Sequence, residues 1–208
     1  MRFLCLSNSW KEKGRCLAGL KMGPDNKIYK SSWIRPVYRT EHEQIPSKFA
    51  SEFKHFDIIK FDVDNDYSRN DYQSENIMVK DDSLIKVGTT ENAFSSYIVK
   101  ICENSRYNNI FGNSEKSIDD KDIHKLDYSL MLLSVNNFAI TKGYNLQKRL
   151  VFHFKGSNYD FPITDPFFQK AHTKDESILD NVAEIYILIS LGVSFNSKCY
   201  KLIASILY

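Results

Sequence analysis

A mainly β chain built as two small antiparallel units is the fold class that the sequence predicts, on three observations. Short apolar runs are bounded by turn-forming clusters, and the pattern begins again after a polar stretch in the middle. The chain has 208 residues, which suffices for two domains of roughly 100 residues each. The first unit is assigned to residues 1–112, a linker to 113–124 and the second unit to 125–208.

The first forty residues contain three strands. One covers residues 2–6, with weak alternation; a second, 15–22, has Gly14 before it and Gly19 inside it. A third, 28–37, follows the turn Gly23-Pro24-Asp25-Asn26. Gly19 suits a bulge or a sharp bend, as in the coiled strands of a small barrel. Further strands are expected over 56–63 and 76–80. A short helix is expected over 93–103, where Phe94, Tyr97, Ile98 and Ile101 recur at helical spacing. Residues 112–122 are polar and turn-rich, which is the composition of a linker.

Beyond that stretch the order of motifs repeats. Leu4-Cys5-Leu6-Ser7 is echoed by Met131-Leu132-Leu133-Ser134, and the segment from Arg15 to Leu20 by that from Arg149 to Phe154. The strand ending Trp33-Ile34-Arg35-Pro36 is echoed by Phe161-Pro162-Ile163-Thr164-Asp165-Pro166. Two final strands are expected over 184–191 and 198–207.

Charge is balanced overall, with 28 Lys and Arg against 26 Asp and Glu, but not along the chain. Residues 1–39 carry nine basic side chains and two acids, a net of +7; residues 61–130 carry eight and fourteen, a net of −6. A polyanion would therefore meet the N-terminal part, although the two segments could also attract each other. The apolar residues never run for the roughly 18 to 20 that cross a bilayer, and the N-terminal apolar run is too short for a secretory signal, so a cytoplasmic protein without a membrane is expected. Cys5, Cys16, Cys102 and Cys199 lack any C-x-x-C spacing; buried thiols are expected, not zinc or disulfides.

Six short segments together resemble the bacterial dual OB-containing domain family. They are Cys5-Leu6-Ser7-Asn8-Ser9, Gly14-Arg15-Cys16-Leu17-Ala18-Gly19, Trp33-Ile34-Arg35-Pro36-Val37, Gln73-Ser74-Glu75-Asn76-Ile77, Ile163-Thr164-Asp165-Pro166, and the closing pair Ile189-Ser190-Leu191-Gly192 with Cys199-Tyr200-Lys201-Leu202-Ile203-Ala204. The resemblance implies two tandem small antiparallel OB-like β-barrels with short helices, packed as one unit. It also implies a nucleic-acid-binding role in bacterial conflict and anti-phage systems, without an established catalytic activity.

In such a barrel the second and third strands and the flanking loops bind oligonucleotides, with cations on phosphates and aromatics on bases. The residues that fit are Lys13 and Arg15 at the entry to strand two, Lys27, Tyr29 and Lys30 on strand three, and Trp33 and Arg35 near its end. Ser7 and Asn8 add hydrogen-bonding groups after strand one. Trp33 could instead plug the barrel, Arg35 could form an internal ion pair, and Ser7 and Asn8 could cap a turn. In the second unit His153, Lys155, Tyr159 and Lys198 hold comparable places with less positive charge, which suits a structural or protein-binding role.

Catalytic readings fare worse. Asp62-x-Asp64-x-Asp66 begins like a calcium loop, but Tyr67 replaces the turn glycine and Gln73 the bidentate Glu. Asp25, Glu52 and Lys54 have nuclease-like residue types but sit on a turn and a helix-like segment. The expected function is thus a non-enzymatic module, free of cofactors and metals, that recognises single-stranded or structured DNA or RNA. A protein-interaction adaptor docking an effector such as a nuclease or ATPase is the alternative, and a metal-dependent nuclease the weaker one.

Overall fold

The structure, a computed structural model, describes residues 1–25, 27–67, 71–80, 82–90, 98–102 and 107–208. The chain folds as two compact units, Met1–Ile101 and Cys102–Tyr208.

The first unit is a mainly β barrel made of β1 (Arg2–Lys11), β2 (Gly14–Met22), β3 (Ile28–Val37), β4 (Ile45–Pro46), α1 (Ser47–Ala50), β5 (Asp57–Lys60), β6 (Asn76–Met78), β7 (Ile85–Thr89) and α2 (Val99–Ile101). Its main sheet has the order β6-β3-β2-β1-β5-β7. The ring closes where β3 runs parallel to β6, Arg35 beside Asn76, and where Val63 bridges Val79. At that seam Asp64 donates to the Met78 carbonyl at 2.9 Å, and Lys80 to that of Asp62 at 2.8 Å. This is the five-stranded Greek-key order of an OB barrel. Phe3, Cys5, Leu17, Ile34, Ile59 and Phe61 fill it, with Phe3 meeting Phe61 edge-on at 6.0 Å. The bulge anticipated from Gly19 lies across from it: Cys5 pairs with Gly19 and Ser7 with Ala18, which leaves Leu6 as the extra residue of β1. Of the helix expected over 93–103, residues 93–97 and 103 lie outside the described residues, and Val99–Ile101 is helical.

The second unit comprises β8 (Ser117–Asp119), α3 (Asp120–Ile123), β9 (Leu130–Val135), β10 (Phe138–Lys142), β11 (Lys148–Phe154), β12 (Ser157–Pro162), α4 (Pro166–Lys174), β13 (Ile185–Phe195) and β14 (Lys198–Leu207). Two sheets, β10-β11-β12 and β8-β14-β13-β9, share the chain at Asn136-Asn137 and are joined by the parallel bridge of Ile163 to Ile203. With β9 and β10 taken as one broken first strand, the ring has the same order as the first unit. The sequence repeat therefore falls on corresponding strands, β1 with β9, β2 with β11 and β3 with β12. Phe152, Tyr159 and Phe161 cluster within this core at 5.4 to 5.7 Å, Phe152 stacked on Tyr159 and edge-on to Phe161.

The expected linker 113–124 is corrected by the structure. Ser117–Asp119 pairs with β14, and Ile110, Phe111 and Ile118 are buried, so this segment belongs to the second unit. Most of its polar side chains are exposed while its backbone completes a sheet edge. Buried Lys201 on β14 secures the preceding stretch, donating to the carbonyls of Ile110 at 2.7 Å and Asn113 at 2.9 Å and to the Asn113 side chain at 2.6 Å.

The helix α4, absent from the sequence reading, starts where Asp165 accepts from the amides of Phe167 and Phe168 at 2.9 and 3.1 Å and Pro166 takes the first helical position. The same buried carboxylate accepts from the Ile206 amide at 3.2 Å, which ties the helix start to β14. Asp165→Ala should lower the unfolding free energy by about 2 kcal/mol, as three amides lose a buried partner. Urea denaturation followed by far-UV circular dichroism checks this, and an unchanged midpoint would refute it.

Among the described residues no helix is long and apolar enough to cross a membrane. The four cysteines are free thiols; Cys5 and Cys199 are buried and Cys16 and Cys102 partly so.

Candidate nucleic-acid interface

The β1–β2 hairpin continues to the pair Lys11 and Gly14, with Glu12 and Lys13 as its two-residue turn. Glu12 adopts a left-handed φ of 50° there. One step in from the turn, Trp10 pairs with Arg15, and the Arg15 guanidinium lies 3.9 Å from the centre of the Trp10 ring. The indole supplies the negative face that attracts a guanidinium. Arg15 is only 8% exposed beneath the ring, whereas Trp10 is 46% exposed. Lys13 is exposed at the tip and makes no ion pair among the described residues. Lys11 is half-buried, and burial holds its pKa below the ordinary lysine range. The hairpin end thus presents one large aromatic surface, backed by one cation and flanked by another.

Lys13 and Arg15 both belong to this hairpin end, but only Lys13 is exposed; Arg15, which the sequence suggested would face solvent, is buried beneath the Trp10 ring. The sequence does not single out Trp10, because a first strand that ends at Leu6 leaves it in a loop; the pairing of β1 with β2 as far as Lys11 is what fixes its place. Trp33 is half-buried and pairs with Leu20 on the β2–β3 ladder, away from the turn. Tyr29 and Lys30 lie on β3, and their side chains lie outside the described ones.

Ser7, Asn8 and Arg35 are corrected. Ser7 and Asn8 are fully buried strand residues, and Asn8 donates to the carbonyls of Ala50 and Phe53, both at 2.7 Å, pinning the end of α1 to β1. Arg35 is 2% exposed and donates to the Asn76 side chain at 3.2 Å. The Asn76 amide in turn donates to Gln73 and Glu43, each at 2.9 Å, and the Tyr67 hydroxyl donates to Glu43 at 2.5 Å. These side chains hold β3, β6 and the 39–44 loop together; Arg35, Gln73 and Asn76 are buried, and Glu43 and Tyr67 are partly so.

Part of the N-terminal positive charge is neutralised within the unit. Arg39 meets Asp64 at 2.7 Å, which lowers the Asp64 pKa, and Lys27 lies 3.6 Å from Asp25. Asp25 also accepts from the Lys27 amide at 3.1 Å, as befits a turn residue. In the second unit Tyr159 is buried in the aromatic stack. His153 is exposed beside Asn158 at 3.0 Å, Lys155 is an exposed turn residue, and Lys198 lies 3.9 Å from Asp119. Among the described residues no group of three or more His, Cys, Asp or Glu is placed to hold a metal.

A family model described as dual OB-containing domain matches residues 1–206, and the chain belongs to that family. No curated protein is significantly similar in sequence. Among solved structures, the chain is similar to a murine DNA-binding protein bound with double-stranded DNA, at 8% identity and a TM-score of 0.37. That match covers 100% of this chain and 94% of the other. It is also similar to the tetrameric p202 HIN2, at 8% identity and a TM-score of 0.31, covering 98% and 86%. A third similar structure is described as the molecular basis for abrogation of activation of pro-inflammatory cytokines, at 10% identity and a TM-score of 0.36, covering 100% and 92%.

Proposed function

We propose that the protein is a non-enzymatic nucleic-acid-binding module that takes single-stranded or structured DNA or RNA at the β1–β2 hairpin end of its first barrel. The observation that carries this reading is the exposed Trp10 ring backed by Arg15, with exposed Lys13 in the adjoining turn. In OB barrels the loop between the first two strands flanks the oligonucleotide-binding face, and a stacked base asks only for an accessible aromatic. Arg15 covers one face of the indole, so a base stacks on the other while Lys13 neutralises a phosphate. The acidic loop between β5 and β6, with exposed Asp62 and Asp66, disfavours phosphate at the far end of that face. A duplex hides its base faces, which is why unpaired strands are favoured. We assign the module further to the recognition part of a bacterial anti-phage or conflict system, as the sequence resemblance implies, and to the cytoplasm.

Fluorescence polarisation of labelled single-stranded DNA, duplex DNA, single-stranded RNA and hairpin RNA across a salt series tests the reading. Trp10→Ala should weaken binding by about tenfold to a hundredfold, since a stacked base contributes roughly 1–3 kcal/mol. Lys13→Ala should reduce the slope of log affinity against log salt by about 0.7, one phosphate contact on a single strand. Absence of binding to all four probes at low salt would sink the proposal. Binding indifferent to Trp10→Ala would move the site off this hairpin.

A further inference from the structure

Among the described residues β10 of the second unit pairs on one side only, with β11. His153 donates to the Asn137 carbonyl at 3.0 Å, and Gly143 to that of Gln147 at 2.8 Å. These two bonds fix which residues of the antiparallel ladder exchange hydrogen bonds: Ala139 and Thr141 face β11, while the N–H and C=O groups of Phe138, Ile140 and Lys142 point away from it. Among the described residues those outward groups have no hydrogen-bond partner. Every residue of β10, from Phe138 to Lys142, lines a groove of about 730 Å³, which thus runs the length of this edge. Its opposite wall is made by His172 of α4 and the segment 176–183, including Leu179, Val182 and Ala183.

Open strand edges are ordinarily blunted by charge, proline or a bulge. Here the only charged residue of β10 is Lys142, whose ammonium lies 3.5 Å from Glu176 across the groove. The other groove lysine, Lys148, has all three ammonium protons engaged: with the Gln169 carbonyl at 3.1 Å, His172 Nδ1 at 3.1 Å and the Thr173 hydroxyl at 2.8 Å. Burial and the neighbouring Lys148 lower the His172 pKa, so the ring is neutral and accepts at Nδ1. With Glu176 and Asp180 also on the wall, the groove offers no spare cation to a phosphodiester chain. What it offers is a row of alternating amide donors and acceptors about 17 Å long, the span of five strand residues, beside apolar side chains.

We propose that the β10 edge docks an extended peptide segment of a partner protein as an added strand, with uncharged apolar residues at alternate positions facing Leu179 and Val182. Backbone bonds to Phe138, Ile140 and Lys142 supply affinity, and the apolar wall supplies selectivity. This goes beyond nucleic-acid binding and uses none of the residues of the first-unit hairpin.

The test is a phage-displayed library of random short peptides selected on the full chain, with two variants for comparison. Ile140→Pro removes an outward N–H and leaves the bonds of Ala139 and Thr141 to β11 in place. Ala183→Arg, at an exposed position of the opposite wall, fills the groove mouth without touching the strand. Selected peptides should carry apolar residues at alternate positions and bind both variants about tenfold more weakly than the native chain. They should also slow amide hydrogen exchange at Phe138, Ile140 and Lys142. The proposal is overturned if no peptide is selected, if the selected peptides bind both variants as tightly as the native chain, or if oligothymidine slows those amides and the peptides do not.

Discussion

Gly19→Ala should destabilise the first barrel by about 3 kcal/mol, lowering its melting temperature by more than about 10 °C. A methyl group there would stand 1.9 Å from the Leu4 carbonyl oxygen, 2.8 Å from the Leu4 carbonyl carbon and 2.9 Å from a Phe3 ring carbon. Two of those atoms are backbone, so no rotamer change relieves the clash. β1 would have to lift off β2 at the bulge, where Cys5 and Ser7 are paired with Gly19 and Ala18. Relief is blocked on the other side too, because Gly19 also pairs with Ile34 of β3. Gly88→Ala is the control: the added methyl meets only Ile58 Cδ1, at 3.7 Å, an ordinary contact. That change should cost less than about 1 kcal/mol and can be favourable through the entropy of the unfolded chain. Differential scanning calorimetry of both variants decides the matter; equal melting temperatures would disprove the close approach of β1 to β2.

Lys201→Met should lower stability by about 3 kcal/mol at pH 8, because the buried carbonyls of Ile110 and Asn113 and the Asn113 side chain lose a nitrogen that even as a neutral amine donates two hydrogen bonds among them. The native chain should also show a pH dependence that the variant lacks. Burial lowers the Lys201 pKa from 10.5 to about 7, opposed only by the more distant Glu115 carboxylate. Between about pH 7 and the ordinary lysine value the unfolded chain keeps a proton that the folded chain has released. Stability therefore rises with pH across that window, and below it the cost of the buried charge is carried in full. Chemical denaturation from pH 6 to pH 10 should show the native midpoint climbing relative to that of Lys201→Met. Parallel curves would mean that the ammonium stays charged among its three acceptors throughout.

Much of the fold was legible because OB strands leave local traces. The span of β3, the start of β6, the final strand β14, the bend at Gly19 and the repeat of β1, β2 and β3 in β9, β11 and β12 all rest on short-range pattern. The misreadings share one cause. Ser7-Asn8-Ser9 resembles a turn locally, yet Asn8 is buried because its amide bonds carbonyls 42 and 45 residues away. Arg35 resembles a surface cation, yet its partner Asn76 is 41 residues distant. Residues 113–124 resemble a linker until β14, some 80 positions later, pairs with them. Trp10 followed from the first of these misreadings, since a strand that ends at Leu6 leaves it without a register. By contrast α4 was announced locally, by Asp165-Pro166 as cap and first turn, and went unread because its apolar residues are few.

The order in which the rings close bears on synthesis. All the strands that close the first ring come from residues up to Val79, so that barrel is able to close while the rest of the chain is still being made. The second waits longer. Its β9, Leu130–Val135, is nearly all buried in the finished barrel, but its partner β13 begins only at Ile185. For about fifty codons a nascent chain carries an apolar strand with no mate, while the β10-β11-β12 meander assembles beside it. Ribosome-bound chains that end between β12 and β13 are accordingly the species most exposed to aggregation and most in need of a chaperone.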